Sequence, residues 1–112
     1  MKQITAIIRP QRLGPVRDAL LRTGVKGLTL SEVRGFGRQA GSTEEYQGVQ
    51  YRVDDVPKLK IEVVVEDSLA DDAVNAIIAA AHTGNIGDGK IWIHSVEAVY
   101  RIRTGDRDES AL

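Results

Sequence analysis

The sequence predicts an α+β fold in which two helices cover one face of a four-stranded sheet. Residues 58–66 alternate between apolar and other side chains, as a half-buried strand does. Residues 70–81 instead carry apolar side chains at helical spacing. The predicted segments follow the order strand, helix, strand, strand, helix, strand, which is the ferredoxin-like βαββαβ pattern.

The first half of the chain supplies a strand, a helix and a second strand. The segment QITAIIR is rich in β-branched residues and is ended by Pro10. Pro15 suits the first turn of the helix, and Gly24 suits its C-terminal cap. The helix itself is predicted from four apolar residues at helical spacing: Leu13, Val16, Leu20 and Leu21. The alternating segment GLTLSEVRGF is predicted as the second strand.

The second half repeats this unit. One face of the strand at 58–66 carries Leu59, Ile61, Val63 and Val65, and the other carries Lys58, Lys60, Glu62 and Val64. A helix follows, capped by Asp67 or Ser68 and ended by Gly84. Its apolar stripe consists of Ala70, Ala73, Val74, Ile77, Ile78 and Ala81. The segments KIWIH and VEAVYRIR are predicted to be extended.

Composition limits the classes of function. The 112 residues fit one domain, residues 1–112, with a polar tail at about 105–112 that we expect to be loosely held. Fifteen basic and sixteen acidic residues give a net charge of −1, which provides no broad electrostatic surface for nucleic acid. Without cysteine there is no disulfide, thiol nucleophile or thiolate metal site. The first apolar run is too short for a signal peptide, and we expect no membrane insertion.

A long segment of little periodicity, residues 37–55, separates the second and third strands of the predicted sheet. Loops of this length are uncommon in compact domains unless they are functional or disordered. One interpretation is a floppy insertion or an extended hairpin. The other is a partner-binding loop whose order depends on a ligand, with Tyr46 and Tyr51 as its aromatic residues.

Two helices cover one face of such a sheet, so the opposite face needs its own explanation. Apolar residues such as Val64 and Val99 are expected on it. We infer a second covering layer, most simply another copy of the protein. The alternative is a monomer with a mildly apolar open face.

A glycine loop near the end of the second helix suggests anion binding. Gly84 and Gly89-Lys90 have the spacing of a P-loop, but Ile91 stands where a P-loop needs Ser or Thr, and a strand follows instead of a helix. Backbone N–H groups of residues 87–90 can still face an anion. Arg101 and Arg103, two apart on a predicted strand, can form a phosphate fork. Each feature also has a plain interpretation, as a tight turn or a solvated strand face.

These motifs resemble the PII signal transduction family of trimeric nitrogen-regulatory proteins. The resemblance runs from residue 1 to about 107 and is carried by ITAIIRP, SEVRGFGRQ, STEEYQG, VPKLKIEVVV, TGNIGDGKIW and YRIRTGDR. It implies a ferredoxin-like homotrimer with a long T-loop at about 37–55 and nucleotide sites in the clefts between subunits. ATP and ADP would compete there, and 2-oxoglutarate would bind with Mg²⁺ and ATP.

The resemblance also implies individual site residues. Those expected at the nucleotide are Ile7, Thr29, Gly35, Gly37, Arg38, Gln39, Glu62, Val64, Gly87, Asp88, Gly89, Lys90, Arg101 and Arg103. Gln39, Lys58 and Gly87 would bind 2-oxoglutarate, with Lys58 pairing a carboxylate. The amide oxygen of Gln39 would contact Mg²⁺, and Tyr51 would be the site of covalent modification.

The implied function is a regulator, not an enzyme, that reports nitrogen, carbon and energy status. Its partners would be an ammonium transporter or nitrogen-assimilation enzymes and regulators, together with modifying enzymes. The protein would be cytoplasmic and would reach a membrane through a transporter. Ala40 and Gln47 stand where relatives usually have basic residues, which puts the channel partner in doubt.

Two alternatives remain open. A small nucleotide-hydrolysing enzyme would have His82 or His94 as its base, although a helix end and a strand end are ordinary places for structural histidines. A PII-like sensor of another metabolite would not need Gln39 and Lys58, which are both present.

Overall fold

The computed structural model describes residues 1–36, 43–46, 49–52 and 56–112. Its strands are β1 (Lys2–Ile8), β2 (Thr29–Gly35), β3 (Thr43–Tyr46), β4 (Val49–Arg52), β5 (Val56–Val65) and β6 (Lys90–Ser95). Its α-helices are α1 (Leu13–Thr23) and α2 (Asp67–Ala81). Short 3₁₀ helices span Pro10–Arg12 and Asp108–Ala111.

The main sheet has the strand order β2-β5-β1-β6, and every neighbouring pair is antiparallel. Each half of the chain therefore contributes one central and one edge strand, and a helix joins the two strands of each half. This arrangement confirms the predicted ferredoxin-like α+β fold. The strands β3 and β4 form a separate antiparallel hairpin with Thr43 opposite Arg52, as in the hairpin interpretation of this segment.

The core lies between the sheet and the two helices. The predicted apolar face of β5 is buried, with Leu59, Ile61, Val63 and Val65 each less than 9% exposed. They meet Ile4 and Ile8 of β1 and the fully buried Leu20 and Ile77 of the helices. Burial of one face accounts for the period-two pattern in β5 and the helical stripe in α2.

The helix ends agree with the prediction in α1 and differ in α2. Gly24 caps α1 in the left-handed region, with φ +109°, and its N–H group donates to carbonyls of the last turn. Helix α2 begins at Asp67, but its N-cap is Glu66, not Asp67 or Ser68, and no side chain caps it. It ends at Ala81, before Gly84, because His82 turns into an extended conformation.

Two predicted stripe residues are exposed. Leu21 is 50% exposed, because its neighbour Leu20 takes the core position and the next residue is rotated by about 100°. Ile78 is 52% exposed, since it lies with Ile93 along a groove between α2 and the edge strand β6.

The predicted strand at VEAVYRIR is wrong for the single chain. Residues 99–108 instead fold back on themselves, with one bridge between Tyr100 and Arg107 and a turn around Gly105. The Arg101 N–H group donates to the Asp106 carbonyl at 2.9 Å. Strand β6 occupies the position beside β1, and residues 99–108 pair with one another instead of with a strand of the sheet.

The segment expected to be a loose tail makes defined contacts. The Arg107 guanidinium lies 4.9 Å from the centre of the Tyr100 ring, and the Asp108 N–H group donates to the Val99 carbonyl at 2.8 Å. These contacts hold the 3₁₀ helix that follows against residues 99–101.

Within the described residues, no helix combines the length and the apolar character that crossing a bilayer requires.

Candidate functional site

The loop between α2 and β6, residues 82–89, is closed by a single carboxylate. Asp88 accepts hydrogen bonds from the backbone N–H groups of Thr83 at 2.8 Å and Gly84 at 2.9 Å. The Thr83 hydroxyl donates to the same carboxylate. These bonds to the start of the loop hold the pKa of the Asp88 carboxyl well below its usual range, with the Thr83 hydroxyl as the largest cause.

Glycines let the loop lie directly against the first strand. Gly87 and Gly89 have φ values of +102° and +109°, which side-chain-bearing residues rarely adopt. A Cβ atom at Gly89 would lie 1.8 Å from the carbonyl oxygen of Ile7. The loop therefore requires glycine at position 89 both for its backbone conformation and for its packing on β1.

Two cationic side chains anchor the loop to the sheet. Arg9, just after β1, donates through Nε to Asp88 at 3.0 Å and through Nη2 to the Ile86 carbonyl at 2.9 Å. Lys58 Nζ donates to the Gly87 carbonyl at 2.5 Å. This role of Arg9 does not follow from the sequence patterns, although a cation directly after a strand and before Pro10 is visible in the sequence.

Lys58 is a buried cation, with 7% of its surface exposed. Burial lowers the pKa of its ammonium group, nearby Arg9 lowers it further, and Asp88 opposes both. The site thus holds two cations against one carboxylate, so it favours an additional negative charge.

The loop also presents unoccupied backbone donors. In the part of the chain that the structure describes, the N–H groups of Gly87 and Gly89 donate no hydrogen bond to another group, whereas the turn at residues 86 and 87 directs the Asp88 N–H group to the Asn85 carbonyl. Free N–H groups in a glycine turn can form a concave site for an anion. Lys90 follows at once, at the exposed start of β6.

The sheet face opposite the helices carries the other described residues that the resemblance implies on the strands. Because directly opposed residues share a face, the register joins Thr29 to Glu62 and Ile7 to Lys90. The expected ligand residues on this open face are Ile7, Thr29, Lys58, Glu62, Val64 and Lys90. Gly35, at the end of β2, lies opposite Val56.

A polar network fixes the Glu62 carboxylate on this face. Gln3 donates through Nε2 to Glu62 at 2.7 Å and to the Thr5 hydroxyl oxygen at 3.4 Å. Lys60 Nζ lies 3.5 Å from the other Glu62 oxygen. Gln3 was also missed, because alternation alone says that residue 3 shares a face with residue 5 but not which strand lies beside it.

The two arginines expected at a phosphate lie elsewhere in the single chain. Arg101 donates to the Leu112 carbonyl at 3.2 Å and lies 3.8 Å from the Asp106 carboxylate. Arg103 lies in the turn of the same hairpin, not on a strand, so the predicted fork on one strand face is not formed. Neither arginine shares a hydrogen-bond partner with the 82–89 loop among the described residues.

Three predicted site residues, Gly37, Arg38 and Gln39, lie outside the described residues. Tyr51 lies on the backbone of β4, opposite Glu44, and its side chain is not among the described groups.

Among the residues that the structure describes, the two histidines form no catalytic arrangement with their neighbours. His82 is 69% exposed on its side chain and lies 3.8 Å from an Asp88 carboxylate that already accepts several stronger hydrogen bonds. His94 lies opposite Gln3 on the exposed edge strand. In the described ranges, no group of three His, Cys, Asp or Glu side chains could hold a metal ion.

The fold and site thus define a small ferredoxin-like protein with a glycine loop beside an open sheet face. Comparison with known proteins assigns its class. The family model described as nitrogen regulatory protein P-II matches residues 1–106. The chain belongs to the nitrogen regulatory protein P-II family, whose members are named as regulatory proteins and not as enzymes.

Individual relatives are similar along their whole length. The nitrogen regulatory protein P-II of Azospirillum brasilense is 56% identical over 112 residues, which cover 100% of both chains. The nitrogen regulatory protein P-II 1 of Escherichia coli (strain K12) and the nitrogen regulatory protein P-II of Klebsiella oxytoca are each 54% identical with the same full coverage.

Proposed function

We propose that this chain senses nitrogen, carbon and energy status as a homotrimer. It binds ATP or ADP and 2-oxoglutarate in the clefts between subunits and regulates partner proteins through residues 37–55. Membership of the nitrogen regulatory protein P-II family supports the regulatory role. The ligands and the trimer are supported by the chemistry of the loop and the open sheet face.

The observation that carries the nucleotide proposal is the set of free backbone donors in the glycine loop. Gly87 and Gly89 offer two N–H groups that donate no hydrogen bond among the described residues. Lys90 adds a charge at the point where the loop enters β6. Together they suit a phosphate group, because fixed N–H dipoles and one mobile cation surround it without reorganisation.

The base and ribose would lie along the open face, next to Thr29 and Glu62. These two residues are direct neighbours across β2 and β5, and Gln3 holds the Glu62 carboxylate in place. Ile7 and Val64 supply apolar surface on the same face.

A second copy is needed to complete the cleft. Arg101 and Arg103 of the same chain lie in the C-terminal hairpin, so in the proposal they reach the phosphates of a neighbouring subunit's nucleotide. The single chain leaves large apolar side chains exposed, which supports their burial against a second copy. Ile102 is fully exposed, Tyr100 is 59% exposed and Trp92 is 38% exposed.

The 2-oxoglutarate site would use the buried Lys58. One of its three ammonium protons goes to the Gly87 carbonyl, which leaves two for a carboxylate. The Arg9 guanidinium next to it increases the positive charge that an oxo-acid would neutralise. When bound, Mg²⁺ would be held by the amide oxygen of Gln39, outside the described residues, and would neutralise charge between ATP and the oxo-acid.

Regulation would follow from the position of the 37–55 segment between β2 and β5. Gly35 and Lys58 stand at its two ends, so ligands in the cleft bias its conformations, and partners bind one of them. The proposed partners are an ammonium transporter or nitrogen-assimilation enzymes and regulators, with Tyr51 as the target of a modifying enzyme. The trimer would act in the cytoplasm and reach a membrane through its transporter partner.

Isothermal titration calorimetry with ATP, ADP and 2-oxoglutarate, each with and without Mg²⁺, tests this proposal. We expect 2-oxoglutarate to bind in the presence of Mg²⁺ and ATP, and its presence to strengthen ATP binding by the same factor. Lys58→Ala should abolish 2-oxoglutarate binding and spare ADP, while Lys26→Ala, an exposed lysine outside the site, is the control. Oxo-acid binding that is indifferent to Mg²⁺-ATP contradicts the proposal, and binding that survives Lys58→Ala favours a sensor of another metabolite.

Sedimentation equilibrium tests the assembly separately. A trimer has three times the 12.2 kDa mass of the chain. A stable monomer without affinity for adenine nucleotides would refute the cleft between subunits.

A further inference from the structure

The Asp88 side chain has little capacity left for a ligand. A carboxylate offers about four acceptor positions. Four donors of the chain already use it, namely the Thr83 N–H group, the Thr83 hydroxyl, the Gly84 N–H group and Arg9 Nε. The carboxylate therefore faces its own turn, and the free N–H groups beside it remain available.

The Arg9 guanidinium donates hydrogen bonds to two points of the loop with a fixed geometry that a lysine side chain does not provide. Its Nε donates to Asp88 at 3.0 Å, and its Nη2 donates to the Ile86 carbonyl at 2.9 Å. A Cβ atom at Gly87 would lie 3.2 Å from the same Nη2, so the guanidinium packs against the loop backbone. A planar fork supplies both bonds at fixed geometry, whereas an ammonium group is a single point charge.

We propose that Arg9 and Asp88 are positioning residues for nucleotide binding. They hold the loop in the shape that leaves the N–H groups of Gly87 and Gly89 available, and the Asp88 carboxylate itself does not touch the ligand. This inference rests on the proposed function and deepens it. It also refines the residue-level expectation for position 88, whose side chain holds the loop and does not contact the nucleotide.

Electrostatics supports the division of roles. A carboxylate facing a phosphate would repel it, which opposes binding. The donors around Asp88 keep its carboxyl ionised and directed inward, in agreement with its lowered pKa.

The proposal predicts a distinctive pattern of affinities. ATP and ADP share the same loop, so distorting it should weaken both by the same factor. A side chain that touched the γ-phosphate or its metal ion would instead change the ratio of the two affinities. Since Arg9 acts through Asp88 and Ile86, the effects of removing Arg9 and Asp88 together should be less than multiplicative.

The experiment measures ATP and ADP dissociation constants by calorimetry for the full chain and for Asp88→Asn, Arg9→Lys, Arg9→Ala and Arg9→Ala/Asp88→Asn. We expect roughly tenfold weaker binding of both nucleotides in Asp88→Asn and Arg9→Ala, as for loss of a charge-assisted hydrogen bond. Arg9→Lys should recover only part of the loss. The control Arg17→Ala removes an exposed pair with Asp18 at 3.5 Å and should leave both constants unchanged.

Several outcomes would overturn the proposal. Unequal losses for ATP and ADP would place Asp88 in contact with the ligand, and unchanged affinities in folded variants would remove its role. Circular-dichroism melts identify unfolded variants, and the isosteric Asp88→Asn supplies the decisive comparison if Arg9→Ala does not fold. If the unaltered protein binds neither nucleotide, the proposed function and this inference both fail; if it binds and the variants match it, this inference alone fails.

Discussion

Replacing Gly89 by alanine should disrupt the packing of the glycine loop against β1. The structure gives two separate penalties at this position. The backbone has a φ of +109°, and an added Cβ atom would lie 1.8 Å from the Ile7 carbonyl oxygen. Gly24 has the same φ of +109° but no atom within 4 Å of an added Cβ atom, so Gly24→Ala is a matched control for backbone strain alone.

The size of the effect follows from these two penalties. Left-handed strain in a residue with a side chain costs about 1–2 kcal/mol. Contact closer than 3.0 Å is not tolerated, so the loop or the Ile7 carbonyl must move by at least about 1.2 Å. That movement disturbs pairing at Ile7–Lys90 and leaves a buried polar group unsatisfied at a cost of about 1–3 kcal/mol. We therefore expect Gly89→Ala to lower the unfolding free energy by about 2–5 kcal/mol and Gly24→Ala by about 1–2 kcal/mol.

Urea denaturation followed by circular dichroism measures both changes. Binding of ADP to folded Gly89→Ala provides a second readout, because the same movement displaces the free N–H groups of the loop. Equal destabilisation by the two substitutions would show that the contact with Ile7 contributes nothing. Gly89→Ala with unchanged stability and unchanged ADP affinity would refute the reasoning about this loop altogether.

Two further predictions concern hydrogen bonds that close the ends of α2 and its loop. Arg12 donates through Nε and Nη2 to the Ala80 carbonyl at 2.9 and 2.7 Å. Arg12→Ala should therefore lower the unfolding free energy, measured in urea, by about 1–3 kcal/mol. As a control, replacing the exposed Arg22 by alanine should change the unfolding free energy little. Folding lowers the pKa of Asp88 below its value in the unfolded chain. The stabilisation by the ionised carboxylate is therefore fully present above the unfolded pKa and is lost as the pH falls through the folded pKa. We expect the unfolding free energy to decrease on acidification below about pH 4. Asp88→Asn should flatten this acid limb of the pH–stability curve, and an unchanged limb would show that other carboxylates produce it.

Local periodicity predicted most of the fold because each main element buries one face. In β5 the alternating residues Leu59, Ile61 and Val63 are buried, and in α2 the stripe that includes Ala73 and Ile77 is buried. Each pattern is contained within about fifteen consecutive residues. The order of these patterns along the chain then limited the topology to the one observed.

Failures occurred where a segment depends on something that is distant in sequence. VEAVYRIR has the composition of a strand, yet in the single chain it adds no strand to the four-stranded sheet, and Tyr100 pairs with Arg107 instead. Leu21 and Ile78 match helical spacing but lie at the margins of the buried helix faces, and each is about half exposed.

The candidate site divides in the same way. Its glycine loop was visible as a motif, and the open face was visible as the second set of residues in β5. The anchoring contacts were not, because Arg9 and Asp88 are 79 positions apart and Gln3 and Glu62 are 59 positions apart. Spacing along a chain gives no information about pairs so widely separated, whose meeting depends on strand order and register.

By itself, the sequence determined that this protein is a βαββαβ sandwich with a glycine loop before its last core strand, since burial on one face and backbone freedom at glycine are local properties. The tertiary structure alone decided that the loop lies on β1, that Asp88 turns inward, and that Arg101 turns toward the C-terminal residues. These outcomes depend on antiparallel pairing of β1 with both β5 and β6, which brings together side chains that no short stretch of sequence contains.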